Sequence, residues 1–361
     1  MAHRTLLIGV VVWLSLLACT AFATAAEAQP TPALGNQTVE STQDDNPAGM
    51  AEAFEYTATT TAATSDAQVY VDSGSTDGSA EVARALGVDV LILDKQLPFT
   101  AARARNEGFR RLNELAPGLR YVQFIDGDCE IVTGWLDKSR VFLDQHPDVA
   151  VVYGRRRERY PQRSIYNMLC DIEWDTPVGE AKACGGDALA RVEAFAAVNG
   201  YRTDLIAGEE PELCVRLRAA GWRIWRLDAE MTLHDAAMLR FSQWWKRNLR
   251  SGHAFAQGAL LYGTAPERHR VREALSAWLW ALGLPLAVSV FAFLVGPLAL
   301  VGLAAYPLQV VRLALHGQRS ARENWWRAFF LVLGKFPELL GQMKFLAGHC
   351  LRAPSQLIEY K

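Results

Sequence analysis

The sequence predicts an α/β domain with a mostly parallel sheet flanked by helices, followed by a helical hairpin of membrane-spanning length. Short apolar stretches typical of strands alternate with helical patterns between residues 69 and 234. Two of these strands end in acidic loops, one at Asp72 and one at Asp126-Gly127-Asp128. Ligands of such sheets bind beyond the carboxyl ends of the strands, so the two loops mark the expected site.

Composition limits the class of protein and its compartment. The chain has 361 residues, enough for two domains or one elaborated domain. Its formal net charge of −2 and pI near 6.4 do not favour binding to nucleic acid, so no nucleic-acid partner is expected. The six cysteines are dispersed, without a CxxC pair or zinc spacing, and indicate reduced thiols in a cytosol-facing domain.

The first 68 residues differ from the rest of the chain. Residues 1–26 combine a short basic start with an uncharged apolar stretch, the pattern of a signal peptide or an N-terminal anchor. Residues 27–68 are rich in Thr, Ala and Pro and lack sustained periodicity, which predicts a disordered, low-complexity linker.

Ordered structure is predicted from the strand Gln68–Val71 onward. The loop Asp72–Ser79 leads into a helix over Ala80–Leu86, and its exposed amides suit either an anion or ordinary helix capping. After a strand at Val88–Leu93, a helix over Ala101–Leu112 carries an arginine cluster, usually a solvated face. In this position one arginine could instead bind a diphosphate.

The strand Tyr121–Ile125 ends in Asp126-Gly127-Asp128, where two carboxylates two residues apart could approach one hard cation. Asp-Gly is also a strong turn signal, so the tripeptide alone favours a turn. A helix over Gly134–Gln145 and a strand over Val149–Tyr153 follow, and an irregular, aromatic-rich stretch is predicted from Arg155.

A second acidic pair begins a later helix, in the segment Gly208-Glu209-Glu210-Pro211. Acids at a helix N-terminus can simply complement the helix dipole. Crowded acids in a cleft can also supply a general base with a raised pKa. The next strand, from Gly221, ends near His234. A lone histidine is more often structural than a metal ligand, but this one closes a strand of the same predicted sheet.

The segment Ala274–Val311 contains no charged residue and is about twice as long as one helix needs to cross a bilayer core. Gly296-Pro297 near its middle predicts a transmembrane hairpin over residues 274–315, although a buried helical pair is the alternative. Arginines and lysines flank it on both sides, which places both flanks in the cytoplasm. An amphipathic interfacial helix is expected over residues 324–348.

Taken in order, several motifs resemble those of inverting family-2 glycosyltransferases with the GT-A fold. The resemblance covers about residues 69–262. Each motif is weak alone, but the order and spacing of the set make the resemblance specific. The segments that carry it are Val71–Ser79, Ala104–Gly108, Asp126–Asp128, Gly208–Leu213 with Arg216 and Gly221-Trp222, His234-Asp235 and Gln243–Arg247.

The resemblance implies sugar transfer from a UDP- or GDP-linked donor to a lipid-linked or polysaccharide acceptor. The hairpin and its cationic flanks predict the inner membrane, with the catalytic domain facing the cytoplasm. Glu210 occupies the position of the acid that deprotonates the acceptor, with Glu209 beside it. The implied nucleotide-sugar residues are Asp72, Ser73, Arg105, Asn106 and Asp126. The implied ligands of Mg²⁺ or Mn²⁺ are Asp126, Asp128 and His234. The expected acceptor-binding residues are Gly185, Gly186, Asp187, Gln243, Trp244, Trp245 and Arg247.

One departure from the family keeps an alternative open. The family's domain opens with a strand and a Pro-x-Tyr/His-Asn-Glu-like loop, and residues 1–68 show no such motif. The alternative is therefore a catalytically impaired, membrane-anchored nucleotide-binding or scaffold protein. A metal-dependent nucleotidyltransferase shares the sheet and the paired acids, but it has no use for the acid pair at Glu209 and Glu210.

Overall fold

The computed structural model describes residues 67–97 and 99–351. The predicted signal-like segment, 1–26, and all but the last two residues of the predicted linker lie outside the described residues. All described residues belong to one compact unit.

The described residues form eight strands, which include all five predicted ones and three that were not predicted. They are β1 Val69–Asp72, β2 Asp89–Ile92, β3 Tyr121–Phe124, β4 Cys129–Ile131, β5 Val149–Glu158, β6 Gly179–Ala181, β7 Ala188–Arg191 and β8 Arg223–His234. β5 continues five residues beyond the predicted end at Tyr153, so the run from Arg155 is strand rather than irregular. That extension places charged side chains on the sheet beside the acidic loops.

Helices separate and cover these strands. In the region through Tyr262 they are α1 Ser79–Ala85, α2 Ala101–Leu115, α3 Trp135–Gln145, α4 Ile165–Glu173, α5 Val192–Ala197, α6 Glu209–Ala219 and α7 Phe241–Tyr262. Thr100 begins α2 by accepting a hydrogen bond from the Arg103 amide, the usual role of a threonine at a helix N-cap. The α/β class is thereby confirmed.

The strand pairing is mixed rather than mostly parallel. The main sheet has the order β3-β7-β5-β8-β4, with β6 also paired to β8, while β1 and β2 form a separate parallel pair. Within the main sheet only β5 and β8 run parallel, and the other pairings are antiparallel. Strand direction depends on long-range pairing, which the local alternation of strands and helices does not reveal.

The core lies between this sheet and its helices. Trp135, Leu143, Phe195, Leu213 and Ile224 are at most 1% exposed. Burial of large apolar side chains is the main contribution that stabilises such a core, at roughly 1.5–3 kcal/mol for each. The core therefore gives the loops at the strand ends a fixed support.

A helical hairpin follows α7. Its first arm, Val271–Val295, consists of α8 Val271–Trp278, a π-helical turn Leu279–Gly283 and α9 Leu284–Val295. Its second arm, Pro297–Leu315, consists of a 3₁₀ segment Pro297–Ala304 and α10 Ala305–Leu315. Both arms are long and apolar enough to cross a membrane by length and composition.

The two arms pack against each other in an antiparallel manner. The Tyr306 hydroxyl donates to the Trp280 carbonyl at 2.6 Å, and Gly302 lies against the Val288 side chain. Gly296 joins the arms with a φ of +121°, a conformation that glycine adopts without strain. The predicted turn at Gly296-Pro297 therefore lies where the sequence places it.

The segment 324–348 is not one helix. It belongs to α11 Ala321–Leu333 and α12 Lys335–Cys350, which meet at Gly334. α12 packs closely along α7, because a Cβ on Gly341 would lie only 1.9 Å from the Leu249 carbonyl oxygen. Hydrophobic patterning does not encode this tertiary contact, and the place of the two helices at a membrane surface stays a prediction.

Candidate active site

The Asp126-Gly127-Asp128 loop is both a turn and part of a charged site. The Cys129 amide donates to the Asp126 carbonyl at 3.0 Å and closes the turn. The strands on either side do not form a hairpin, because β3 and β4 lie at opposite edges of the main sheet. The turn thus connects two strand ends across the site rather than two neighbouring strands.

Strand register brings His234 to this loop. β4 and β8 pair with Cys129 opposite His234, so Asp128 lies next to the histidine. The Nε2 atom of His234 is 3.2 Å from Oδ1 of Asp128. The other ring nitrogen, Nδ1, is buried without a hydrogen-bond partner, and its nearest carboxylate oxygen is that of Glu158 at 4.0 Å. The structure therefore brings together two of the three predicted metal ligands.

These side chains suit a divalent cation. Ligand atoms of Asp128, Cys129 and His234 all lie within 4.8 Å of one another. Burial, together with the charge of Asp187, raises the pKa of Cys129 far above its usual value, so this residue stays a thiol. A carboxylate and an imidazole suit Mn²⁺, whereas a thiol is a poor ligand for Mn²⁺ or Mg²⁺. Asp128 and His234 are the residues that fit.

Arg105 is the centre of the site's acidic cluster. Its Nη2 donates to Asp126 at 2.7 Å, and its Nη1 donates to Glu209 at 3.1 Å and to Glu210 at 3.0 Å. Burial opposes its charge, but the three carboxylates raise the pKa of Arg105 well above its usual value. One α2 side chain thereby holds the strand-end loop and the α6 acids together.

The sequence before α6 positions its two acids. Gly208 has a φ of +82° and lets the chain turn directly into the helix at Glu209. Burial and the neighbouring Glu210 raise the pKa of Glu209 to about 7, although Arg105 opposes the shift. The Glu209 side chain is 6% exposed and that of Glu210 16%, so Glu210 is the more accessible acid.

A second network lies behind the first. Asp187 is 1% exposed and accepts hydrogen bonds from the Asp126 amide, from Arg156 and from Thr232. Arg156 also donates to Asp126 at 3.1 Å. Burial alone would raise the pKa of Asp126, but the guanidinium groups of Arg105 and Arg156 lower it to about 2. Asp126 is therefore held as a carboxylate at neutral pH.

Close packing at Gly186 places the Gly185-Gly186 loop against this network. A Cβ on Gly186 would lie 2.6 Å from Nη2 of Arg105 and 2.7 Å from Oδ2 of Asp126, whereas a Cβ on Gly185 would meet nothing within 4 Å. Only glycine fits at 186 without moving the ion pair. Asp187 is enclosed and fully hydrogen-bonded, so it supports the site instead of contacting an acceptor.

The Asp72 loop lies at the end of β1. The Asp72 carboxylate accepts from the amides of Gly74 at 2.9 Å and Ser75 at 3.2 Å, and so organises its own turn. Ser73 lines a cleft of about 470 Å³ with Lys95, Phe99, Arg103 and neighbouring residues. The cleft has the cationic and aromatic side chains that suit a nucleotide.

Asn106 has a supporting role. Its side-chain amide donates to the Tyr201 carbonyl at 2.7 Å and accepts from the Tyr201 amide at 2.9 Å. The expectation that Asn106 contacts the nucleotide is corrected here, because both ends of its amide are used to hold Tyr201. The ring of Tyr201 in turn lies 5.5 Å from the Arg105 guanidinium.

The predicted acceptor residues on α7 are engaged within the protein. Gln243 caps the start of α7, and Arg247 pairs with Glu173 at 2.7 Å. Trp244 is 5% exposed and packs on Phe330. Trp245 is half-buried at the same cluster. Trp244 is therefore part of a buried aromatic cluster, while acceptor binding by the other three stays a prediction.

Sequence reasoning missed three polar residues that support the site: Arg156, Glu158 and Thr232. The sequence predicts an irregular stretch from Arg155, which gives these side chains no common face. Strand alternation could have identified Arg156 and Glu158, because these residues share one face of β5 when the strand continues past Tyr153.

The fold and this charged site define the class of protein: an α/β domain of the GT-A type. Residues 66–195 match the model of Glycosyl transferase family 2. The matched residues therefore resemble a family-2 glycosyltransferase domain, as the motifs predict.

Two relatives illustrate the similarity. The succinoglycan biosynthesis protein ExoA of Rhizobium meliloti (strain 1021) is 32% identical over 176 residues, covering 44% of this chain and 51% of that protein. The chain thus spans about half the length of that curated relative. Mannosyltransferase PcManGT from Pyrobaculum calidifontis, solved in complex with GDP-Man and Mn²⁺, superposes with a TM-score of 0.50 at 20% identity over 77% of each chain. This second likeness concerns the fold.

Proposed function

We propose that the protein transfers a sugar from a nucleotide-sugar to an acceptor hydroxyl with inversion, in a reaction that depends on Mg²⁺ or Mn²⁺. The observation that carries the proposal is the meeting of Asp126, Glu209 and Glu210 on one buried guanidinium, that of Arg105. This cluster joins a strand-end loop, where a diphosphate would bind, to the acids that would act on the acceptor.

On the donor side, Asp128 and His234 would hold the cation, and the cation would neutralise charge on the diphosphate leaving group. The cleft at Ser73 would take the nucleoside, with Asp72 at its edge. Asp126 has both carboxylate oxygens paired with arginines, so its proposed contact with ribose or metal would require it to share these partners. A GDP-linked donor is consistent with the similar mannosyltransferase structure, which was solved in complex with GDP-Man and Mn²⁺.

On the acceptor side, Glu210 is the proposed base. It is more exposed than Glu209, and Arg105 holds its carboxylate in place. A base on the face opposite the leaving group removes the acceptor proton as the sugar is attacked, which inverts the anomeric centre. Glu209, with a pKa of about 7, would be partly protonated beside it and would limit the negative charge in the cluster.

The proposed location is the inner membrane, with the glycosyltransferase domain in the cytoplasm and the hairpin inserted in the bilayer. The two apolar arms and the arginines on both flanks support it. A lipid-linked or polysaccharide acceptor fits this location, because such acceptors are presented at the membrane surface.

The test uses the full chain purified in detergent. Binding of GDP and UDP is measured by isothermal titration with and without Mn²⁺, and transfer from GDP- and UDP-sugars is followed by release of the nucleotide. We expect Asp128→Asn to weaken the Mn²⁺-dependent binding at least tenfold and Glu210→Gln to lower transfer by about 10²–10⁴-fold. Glu114→Gln, an exposed substitution on α2, is the control.

The outcomes separate the hypotheses. A nucleotide affinity that changes neither with Mn²⁺ nor in Asp128→Asn contradicts the proposed metal site. Binding without transfer for any donor supports the alternative of a scaffold or impaired domain. Transfer at the wild-type rate in Glu210→Gln contradicts the assignment of Glu210 as the base, but it does not contradict the proposed transfer reaction.

A further inference from the structure

A groove at the start of the hairpin is distinct from the active site. It has a volume of about 810 Å³ and is lined by Arg268, Val271, Arg272, Leu275, Ser276, Trp278 and Leu279. Its walls combine two cations with an apolar surface, and the proposed transfer reaction uses none of these residues.

The apolar wall of the groove faces outward. Ala274 and Ala277 form the buried face of α8, at 9% and 0% exposure. Leu275 and Leu279, one helical turn apart on another face, are each 63% exposed. Large apolar side chains exposed side by side indicate a contact with an apolar partner.

The two cations have no counter-charge of their own. The nearby acids are already paired: Glu267 with Arg218 at 2.8 Å, and Glu273 with Arg270 at 3.1 Å. Within the part of the chain that the structure describes, neither Arg268 nor Arg272 makes an ion pair. The mouth of the groove therefore has two uncompensated positive charges.

The polar and apolar parts are arranged along the helix axis. Arg272 lies at the start of the first hairpin arm and Leu279 lies seven residues further along it, about 10 Å at the rise of an α-helix. That separation corresponds to the step from the headgroup layer into the hydrocarbon of a bilayer. A ligand that bridges both parts needs an anionic head and an apolar chain.

We propose that this groove binds an anionic membrane phospholipid, with Arg268 and Arg272 on the headgroup phosphate and the Leu275–Leu279 face on the acyl chain. The inference rests on the membrane location proposed above, and not on the transfer reaction. The apolar wall favours a lipid over free phosphate, because free phosphate would leave that wall exposed to water.

The experiment has two arms. In the first, flotation of the full chain with vesicles of phosphatidylcholine alone tests the membrane location. In the second, the full chain in detergent is titrated with short-chain phosphatidylglycerol or phosphatidylcholine, and bound lipid is counted by native mass spectrometry. The variant is R268Q/R272Q. Its control is R322Q/R327Q, which removes the same charge from exposed positions on α11 beyond the hairpin.

We expect wild type to prefer phosphatidylglycerol, and R268Q/R272Q to lower its apparent affinity about tenfold, since each arginine near an anionic headgroup contributes to binding. The control should keep the preference, and inorganic phosphate should not displace the lipid. Equal losses in both variants, displacement by phosphate, or tighter binding of a polyprenyl diphosphate would each overturn the proposal. Failure to float contradicts the membrane location, whereas flotation without lipid preference contradicts only the groove.

Discussion

Arg105 and Asp126 are joined by a 2.7 Å ion pair that ties α2 to the loop after β3. The same guanidinium also binds both acids at the start of α6. Three carboxylates thus share one buried cation, so the substitution of Arg105 affects folding and function together.

Arg105→Ala should destabilise the protein by about 3–5 kcal/mol, because it leaves Asp126, Glu209 and Glu210 without their shared partner. The measurement is the free energy of unfolding in denaturant, followed by tryptophan fluorescence. Arg110→Ala on the same helix is the matched control, since its pairs with Glu107 and Glu114 are exposed and should contribute less than about 1 kcal/mol. Equal losses in the two variants would contradict the role of Arg105.

The pKa of Glu209 predicts a pH dependence of stability. Its pKa is about 7 in the folded protein against a usual value of 4.5. The folded state therefore holds a proton that the unfolded state has lost, and stability falls as pH rises from about 4.5 to about 7, by about 3 kcal/mol at most.

Glu209→Gln should flatten this dependence, so that the melting temperature changes less than that of wild type over the same pH range. Glu114→Gln, whose side chain is 47% exposed, should keep the wild-type profile. An unchanged slope in Glu209→Gln would show that another group titrates in this window.

Gly186→Ala should disturb the Arg105–Asp126 pair directly, because the new Cβ would lie 2.7 Å from Oδ2 of Asp126. We expect a loss of about 1–3 kcal/mol in stability and weaker nucleotide binding. Gly185→Ala, one residue away in open space, should change neither quantity. Thermal unfolding and nucleotide titration of the two variants make the comparison.

Gly341→Ala should separate α12 from α7, because its Cβ would lie 1.9 Å from a backbone oxygen that cannot move aside. The expected loss is at least about 1–3 kcal/mol. Met343→Ala on the same helix, at a side chain that is 48% exposed, should cost much less. Denaturant unfolding in detergent measures both, and similar values would contradict close packing between the helices.

Much of the site was predictable because local sequence features mark its residues. Acids directly after an apolar strand, glycines before a helix and an arginine within a helix between two strands are all visible in the sequence. The β4–β8 register that brings His234 to Asp128 could be expected only through the family resemblance, since sequence distance does not encode pairing.

The unpredicted parts depend on tertiary contacts. Arg156 shares its charge between Asp126 and Asp187 only because β5 extends to Glu158 and pairs with β8. Trp244, expected at a sugar, packs on Phe330 from a helix that follows the hairpin. In both cases the partner of the side chain lies far away along the chain, so the local sequence does not identify it.

The contact between Trp244 and Phe330 joins the segments before and after the hairpin. Phe330 also packs on Tyr166 of α4, and α12 lies along α7, so the chain returns to pack on the domain after both apolar arms. The hairpin is thus an insertion within the domain rather than an appendage at its end. Truncation after Tyr262 would expose Trp244 and Tyr166, whereas internal excision of the arms, with a short loop in their place, would keep both side chains covered.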